Sequence, residues 1–183
     1  MLTAAMAAAC GGADGWKVVI PLVAAAIALL GVLITLIVNG RRAERERLRA
    51  LYAGGWAAVQ AYKEMAFAIR RRSIDDRAAE RVRLSDALRE IQRDLAYNEA
   101  LIGHERSGRV ASEYCTLVAG TREIAGAIIR RSWNEDPIGS DTEMHAPEIA
   151  TELKALEEFE QRYLGAVAEA VRGWSLRRNR TAS

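Results

Sequence analysis

Two cysteines and two histidines in 183 residues leave this chain nearly without the side chains from which metal and redox centres are built. His104 and His145 have no Cys or His at metal-ligand spacing, and neither has a Glu three residues before it, the pattern of di-iron helical bundles. Cys115 stands between Tyr114 and Thr116 with no His nearby in sequence, so it reads as a small buried side chain rather than a nucleophile. Strand-like alternation of apolar and polar residues is missing too. A glycine-rich phosphate loop therefore has no strand to follow, and Gly11, Gly12 and Gly15 have no lysine beside them to complete one. These absences leave no usual catalytic constellation, and the expectation is a non-enzyme with no cofactor, no metal and no small-molecule substrate.

What the chain does have is a run of 21 residues, Val18 to Val38, without a charged side chain. At about 1.5 Å per residue it makes a helix of roughly 30 Å, the thickness of a bilayer's hydrocarbon core. Pro21, Gly31 and Thr35 interrupt it, as a membrane helix tolerates. A cleaved signal peptide needs a basic start and a shorter apolar run; here the first 15 residues hold no Lys or Arg. Beyond the run come Arg41, Arg42, Arg45, Arg47 and Arg49 against Glu44 and Glu46, while the other flank has only Lys17. The positive-inside rule then predicts a single-pass cell-membrane protein with its N-terminus outside and its C-terminal domain in the cytoplasm. The expected divisions are a disordered outer tail at 1–16, a transmembrane helix at 17–39, a helical body at 41–176 and a frayed basic tail at 177–183.

Trp16 and Lys17 are placed for the outer headgroups, as an aromatic belt residue and a snorkelling cation. Ala24, Ala28, Gly31 and Thr35 line one face with small side chains, a pattern that lets membrane helices associate closely. Cys10 and Cys115 fall on opposite sides of the membrane and cannot pair within one chain. Cys10 is either an incidental small residue or the source of an intermolecular disulfide.

The body is helical throughout, with helices expected at about 41–72, 74–103, 107–133 and 148–176. Leu48, Tyr52, Trp56, Val59, Tyr62, Ala66 and Ile69 recur at three and four, interrupted by Gly54 and Gly55, which either kink the helix or admit a close neighbour. Ser73 and Asp76 resemble a capping box opening the second helix. Its seam is Leu84, Leu88, Ile91, Leu95, Asn98 and Ile102; the third carries Val110, Tyr114, Leu117, Thr121, Ile124 and Ile128; the fourth carries Ile149, Leu153, Leu156, Phe159, Tyr163, Val167, Ala170 and Trp174. Asn98 and Thr121 are candidate register-fixing polar groups, with solvation at a helix end the alternative for Asn98. Four such helices joined by short turns predict an all-α fold, an antiparallel cytoplasmic four-helix bundle behind one N-terminal transmembrane helix.

Charge is laid out unevenly: +6 over residues 41–133, −8 over 134–160 and +4 over 161–183. The acidic loop offers Glu135, Asp136, Asp141 and Glu143 as partner-contact candidates and should share an end of the bundle with Arg70, Arg71 and Arg72. Three reversals would return the fourth helix to the bilayer, adding Trp174, Arg177, Arg178 and Arg180 to the interface candidates Arg41, Arg42 and Arg45. The leading functional expectation is a module that binds a protein partner or itself. An oligomeric membrane effector or channel component assembled through the span is one alternative, and an anionic-lipid or nucleic-acid tether is another. Nucleic acid is disfavoured because acids interleave the arginines in nearly equal number.

Overall fold

A computed structural model describes residues 15–105 and 108–180, and all regular structure among them is helical. Helix α1 is Gly15–Arg70, α2 is Arg77–Gly103 and α3 is Gly108–Asn134. After a 3-10 turn at Asp141–Glu143 come α4, Pro147–Leu153, a second 3-10 turn at Lys154–Leu156, and α5, Glu157–Arg180. The last three follow one another without a gap and form an interrupted fourth helix, so four helices pack together. The chain divides into two compact units, Met1–Arg47 and Leu48–Ser183. Residues 1–14, which hold Cys10 and most of the tail expected at 1–16, lie outside the described residues, while Gly15 and Trp16 open α1.

Three local departures from the sequence reading have physical causes. The apolar run and the first body helix are one continuous helix, because Gly40 costs only about 1 kcal/mol relative to Ala and good helix formers surround it. The second helix opens at Arg77, with Asp76 rather than Ser73 as its cap: Ala79 N donates to Asp76 Oδ1 at 3.0 Å, while the Ser73 hydroxyl is engaged with Asp75. An acidic side chain is the stronger cap at the dipole's positive end. The fourth helix tightens to 3-10 geometry at Lys154–Leu156 without proline or glycine, and Leu153 and Leu156 are buried on either side of the change.

α3 holds the core together. Its buried residues, among them Val110, Tyr114, Leu117, Val118, Ala125, Ile128 and Ile129, spread well beyond one seam because three neighbours touch it. Arg122 pairs with Glu99 of α2 at 3.0 Å, and Gly120 and Gly126 leave room for Phe159 of α5 and the Tyr62 hydroxyl of α1. α2 is attached more narrowly: only Leu84, Leu95 and Ile102 are fully buried, with Leu88 and Ile91 half-buried against the core. Contacts between α3 and the fourth helix run in opposite order along the two, from Arg109 with Glu169, through Glu113 with Arg162, to Arg131 with Glu152. Lys63 of α1 meets Glu160 at 2.6 Å, with both side chains largely shielded from water.

Gly54 and Gly55 serve close approach within α1, which continues unbroken through them. A Cβ on Gly55 would stand 2.6 Å from Ile102 Cδ1 and 3.0 Å from the Tyr114 ring. The room admits the buried Tyr114 hydroxyl, which donates to the Gly55 carbonyl at 3.1 Å, and a second bond between helices runs from the buried Tyr163 hydroxyl to the Tyr52 carbonyl at 2.9 Å. These carbonyls lie in the body of a helix, so each tyrosine uses the second lone pair of an acceptor. The two rings lie 5.3 Å apart and Trp56 stacks on Tyr163 at 6.5 Å. Asn98 and Thr121, by contrast, each donate to the carbonyl four residues back in their own helix, and the Asn98 Oδ1 stands 3.3 Å from where a Cβ on Gly54 of α1 would lie.

Burial pushes the phenols of Tyr114 and Tyr163 well above their ordinary value, and neighbouring charge or phenol groups add to the shift. The folded protein then holds protons that the unfolded chain loses above about pH 10. Stability should therefore be unaffected by these groups below about pH 10 and fall as pH rises beyond it. Alkaline titration should show tyrosinate absorbance for these two residues rising only together with loss of helical circular dichroism.

Candidate interaction surfaces

The apolar part of α1 is the largest chemical anomaly in the chain. Its large side chains from Ile20 to Val38 each remain between 49% and 66% exposed, and no part of its most apolar window, of mean hydropathy 2.8, is buried in the fold. By length and composition this one helix near the N-terminus could cross a membrane. Ala24, Ala28, Gly31 and Thr35 are exposed, a Cβ on Gly31 would meet nothing within 4 Å, and the Thr35 hydroxyl donates to the Gly31 carbonyl at 2.8 Å. That bond satisfies the one polar side chain of the run within its own helix. Arg41 and Arg42 are exposed and Arg45 is half-buried; Arg42 reaches Glu46 at 3.5 Å, and Arg47 makes a two-pronged pair with Glu44. Trp16, Lys17, Trp174, Arg177, Arg178 and Arg180 have helical backbone, and their side chains lie outside the described residues.

The second candidate surface is where the α1 C-terminus meets the acidic loop. Helix ends leave carbonyls without intrahelical donors; here Arg72 supplies them at the ends of α1 and α3, and Arg70 and Arg71 reach carbonyls of the loop. Arg72 Nη1 donates to Ile69 O and Ser132 O, both at 2.9 Å, and its Nη2 donates to Glu135 O. Arg70 Nη1 donates to Asp136 O and Arg71 Nε to Met144 O at 2.8 Å, while Ile138 N donates back to Arg70 O at 2.8 Å. The loop is stapled to α1 by guanidinium forks and backbone carbonyls. Burial lowers the Arg72 pKa, Arg70 and Arg77 lower it further, and Asp136 partly offsets them.

This changes the reading of the acidic candidates. Glu135 is half-buried and its carboxylate reaches Arg70 and Arg131, each at 3.2 Å. Asp136 is exposed beside Arg72, Glu143 is exposed, and the Asp141 side chain lies outside the described residues. Glu152, not singled out by sequence, takes both prongs of Arg131 at 2.7 and 3.0 Å, and that cation holds its carboxylate below the ordinary range. Cys115 is exposed, not buried: the Tyr114 and Leu117 face turns inward and leaves Cys115 off the seam. Among the described residues, no three His, Cys, Asp or Glu side chains converge as a metal site requires.

Neither a protein family, nor a curated protein, nor a solved structure matches the chain. The surfaces must be interpreted from their own chemistry.

Arg72 gives a direct test of the staple. Arg72→Ala removes three donors from partly buried carbonyls, which should cost about 1–3 kcal/mol and free the loop. A lower melting temperature and earlier proteolysis within residues 135–146 are expected. Arg72→Lys should recover little of the loss, since a point charge cannot reproduce the planar fork.

Proposed function

We propose that the protein is a single-pass membrane protein. The apolar part of α1 spans the bilayer with residues 1–16 outside, and the rest of α1 forms with the other three helices an antiparallel four-helix bundle in the cytoplasm that binds a protein partner or a second copy of itself. The observation that carries the anchor is the exposed apolar surface from Ile20 to Val38. Leaving so many large side chains in water costs on the order of 10–20 kcal/mol, and lipid removes that cost while the helix satisfies its own backbone. The orientation rests on the arginines that follow Val38.

The non-catalytic module is supported by how the body's polar groups are used. The buried tyrosine hydroxyls and the half-buried guanidinium of Arg72 bond backbone carbonyls, so they hold helices and loop together. The test is affinity capture of the full-length, detergent-solubilised protein with identification of co-purifying chains and measurement of its assembled mass. A defined partner at fixed stoichiometry, or a defined homo-oligomer, is the expected result. A monomer that captures nothing reproducibly contradicts the interaction role.

A further inference from the structure

Between the α1–α2 connection and the end of α3 lies a cleft of about 170 Å³, lined by Arg72, Ser73, Arg77, Glu80, Arg81, Trp133, Asp136 and Pro137. Three of its eight lining residues are arginines, and their partners decide what it can hold. Arg72 has both terminal nitrogens on backbone carbonyls and its guanidinium over the Trp133 ring at 5.7 Å, with Asp136 nearby to offset its charge. Glu80 is committed elsewhere, since Arg83 grips its two oxygens at 2.7 Å each. Ser73 is tied to Asp75. Arg77 and Arg81 are left, four residues apart on one face of α2, both exposed and without a carboxylate partner among the described residues. The cleft therefore carries two guanidinium forks with no ion pair among the described residues, beside an aromatic wall and with Glu80 and Asp136 also in its lining.

We propose that this cleft is a binding site for a phosphate-type dianion, held between the forks of Arg77 and Arg81 and backed by Trp133. Charge selects the class. A phosphomonoester brings about −1.5 to −2 and three acceptor oxygens, enough for two forks, whereas a carboxylate or a lipid phosphodiester brings a single charge. Size agrees, because the cleft is smaller than the roughly 300–1,000 Å³ of sites for drug-sized ligands. Free phosphate and a phosphorylated side chain of a partner present the same group. The inference goes beyond the proposed function and needs only residues of the second compact unit, so its failure leaves the membrane reading untouched.

The test is calorimetric titration of the full-length protein in neutral detergent at physiological salt, with inorganic phosphate, a short phosphoserine peptide and its unphosphorylated form. Saturable binding of phosphate or phosphopeptide, but not the plain peptide, is expected. Tighter binding of the phosphopeptide identifies a modified partner as the source; equal or tighter binding of phosphate identifies the free ion. Arg77→Ala with Arg81→Ala should weaken binding about tenfold or more while the melting temperature holds. Removing the same charge at Arg89 and Arg93, which pair with Asp86 and Asp94 on the same helix, should leave it intact. No saturable binding of either probe, or equal weakening by the two double variants, would overturn the site.

Discussion

Deleting Val18 to Val38 is expected to move the protein from the membrane pellet to the soluble fraction, and no single substitution elsewhere should do the same. The expectation follows from where the apolar surface lies. The segment makes no buried contact in the fold, so removing it takes away no core residue. Its contribution to partitioning is of order 10 kcal/mol or more, enough to make residual binding undetectable. The juxtamembrane arginines remain after the deletion, and each is worth about 1 kcal/mol at an anionic leaflet, so any remnant binding should vanish at high salt. A deleted form that stays in the pellet at high salt would mean that the body itself is held by the membrane or by another membrane protein.

Leu95→Asp should be among the most damaging single substitutions in α2. Leu95 is completely buried, so the change creates a cavity, about 2–5 kcal/mol for a large-to-small substitution, and places an unpaired carboxylate in the core at several kcal/mol more. The sum matches the whole stability of a typical domain, about 5–15 kcal/mol. Ile91→Asp, one turn earlier on the same seam, should cost much less because Ile91 is half-buried and its carboxylate keeps water. Thermal unfolding of the full chain in detergent distinguishes them: loss of the cooperative transition for Leu95→Asp and a lowered but intact transition for Ile91→Asp. Similar melting of the two would contradict the narrow attachment of α2.

That contrast shows what periodicity reveals and what it leaves hidden. A spacing of four and three identifies the inward side of α2, and Leu84, Leu95 and Ile102 do face inward, but burial along the seam depends on how far each turn stands from its neighbour. On α3 the apolar pattern understates the buried surface, since Gly120, Gly126 and Ser132 are buried with no hydrophobic signature. The outward position of Cys115 follows from the seam through Tyr114 and Leu117, which turns the intervening residue away from the core. The meeting of Arg70, Arg71 and Arg72 with the acidic loop follows from counting helices. Their bonds to main-chain carbonyls do not, because backbone acceptors have no residue type. The pair Arg77 and Arg81 is likewise invisible as an excess until Arg83 is seen to occupy Glu80.

The two cysteines supply the most direct measurement of the central claim, that the apolar helix crosses a bilayer with the helical body on the cytoplasmic side. Intact cells are treated with a membrane-impermeant thiol reagent, and a second sample is treated after lysis. Cys10 should react in both samples and Cys115, which is exposed on α3, only after lysis. Modification of Cys115 in intact cells, with Cys10 protected until lysis, would contradict the orientation, and recovery of the protein in the soluble fraction would contradict the span itself.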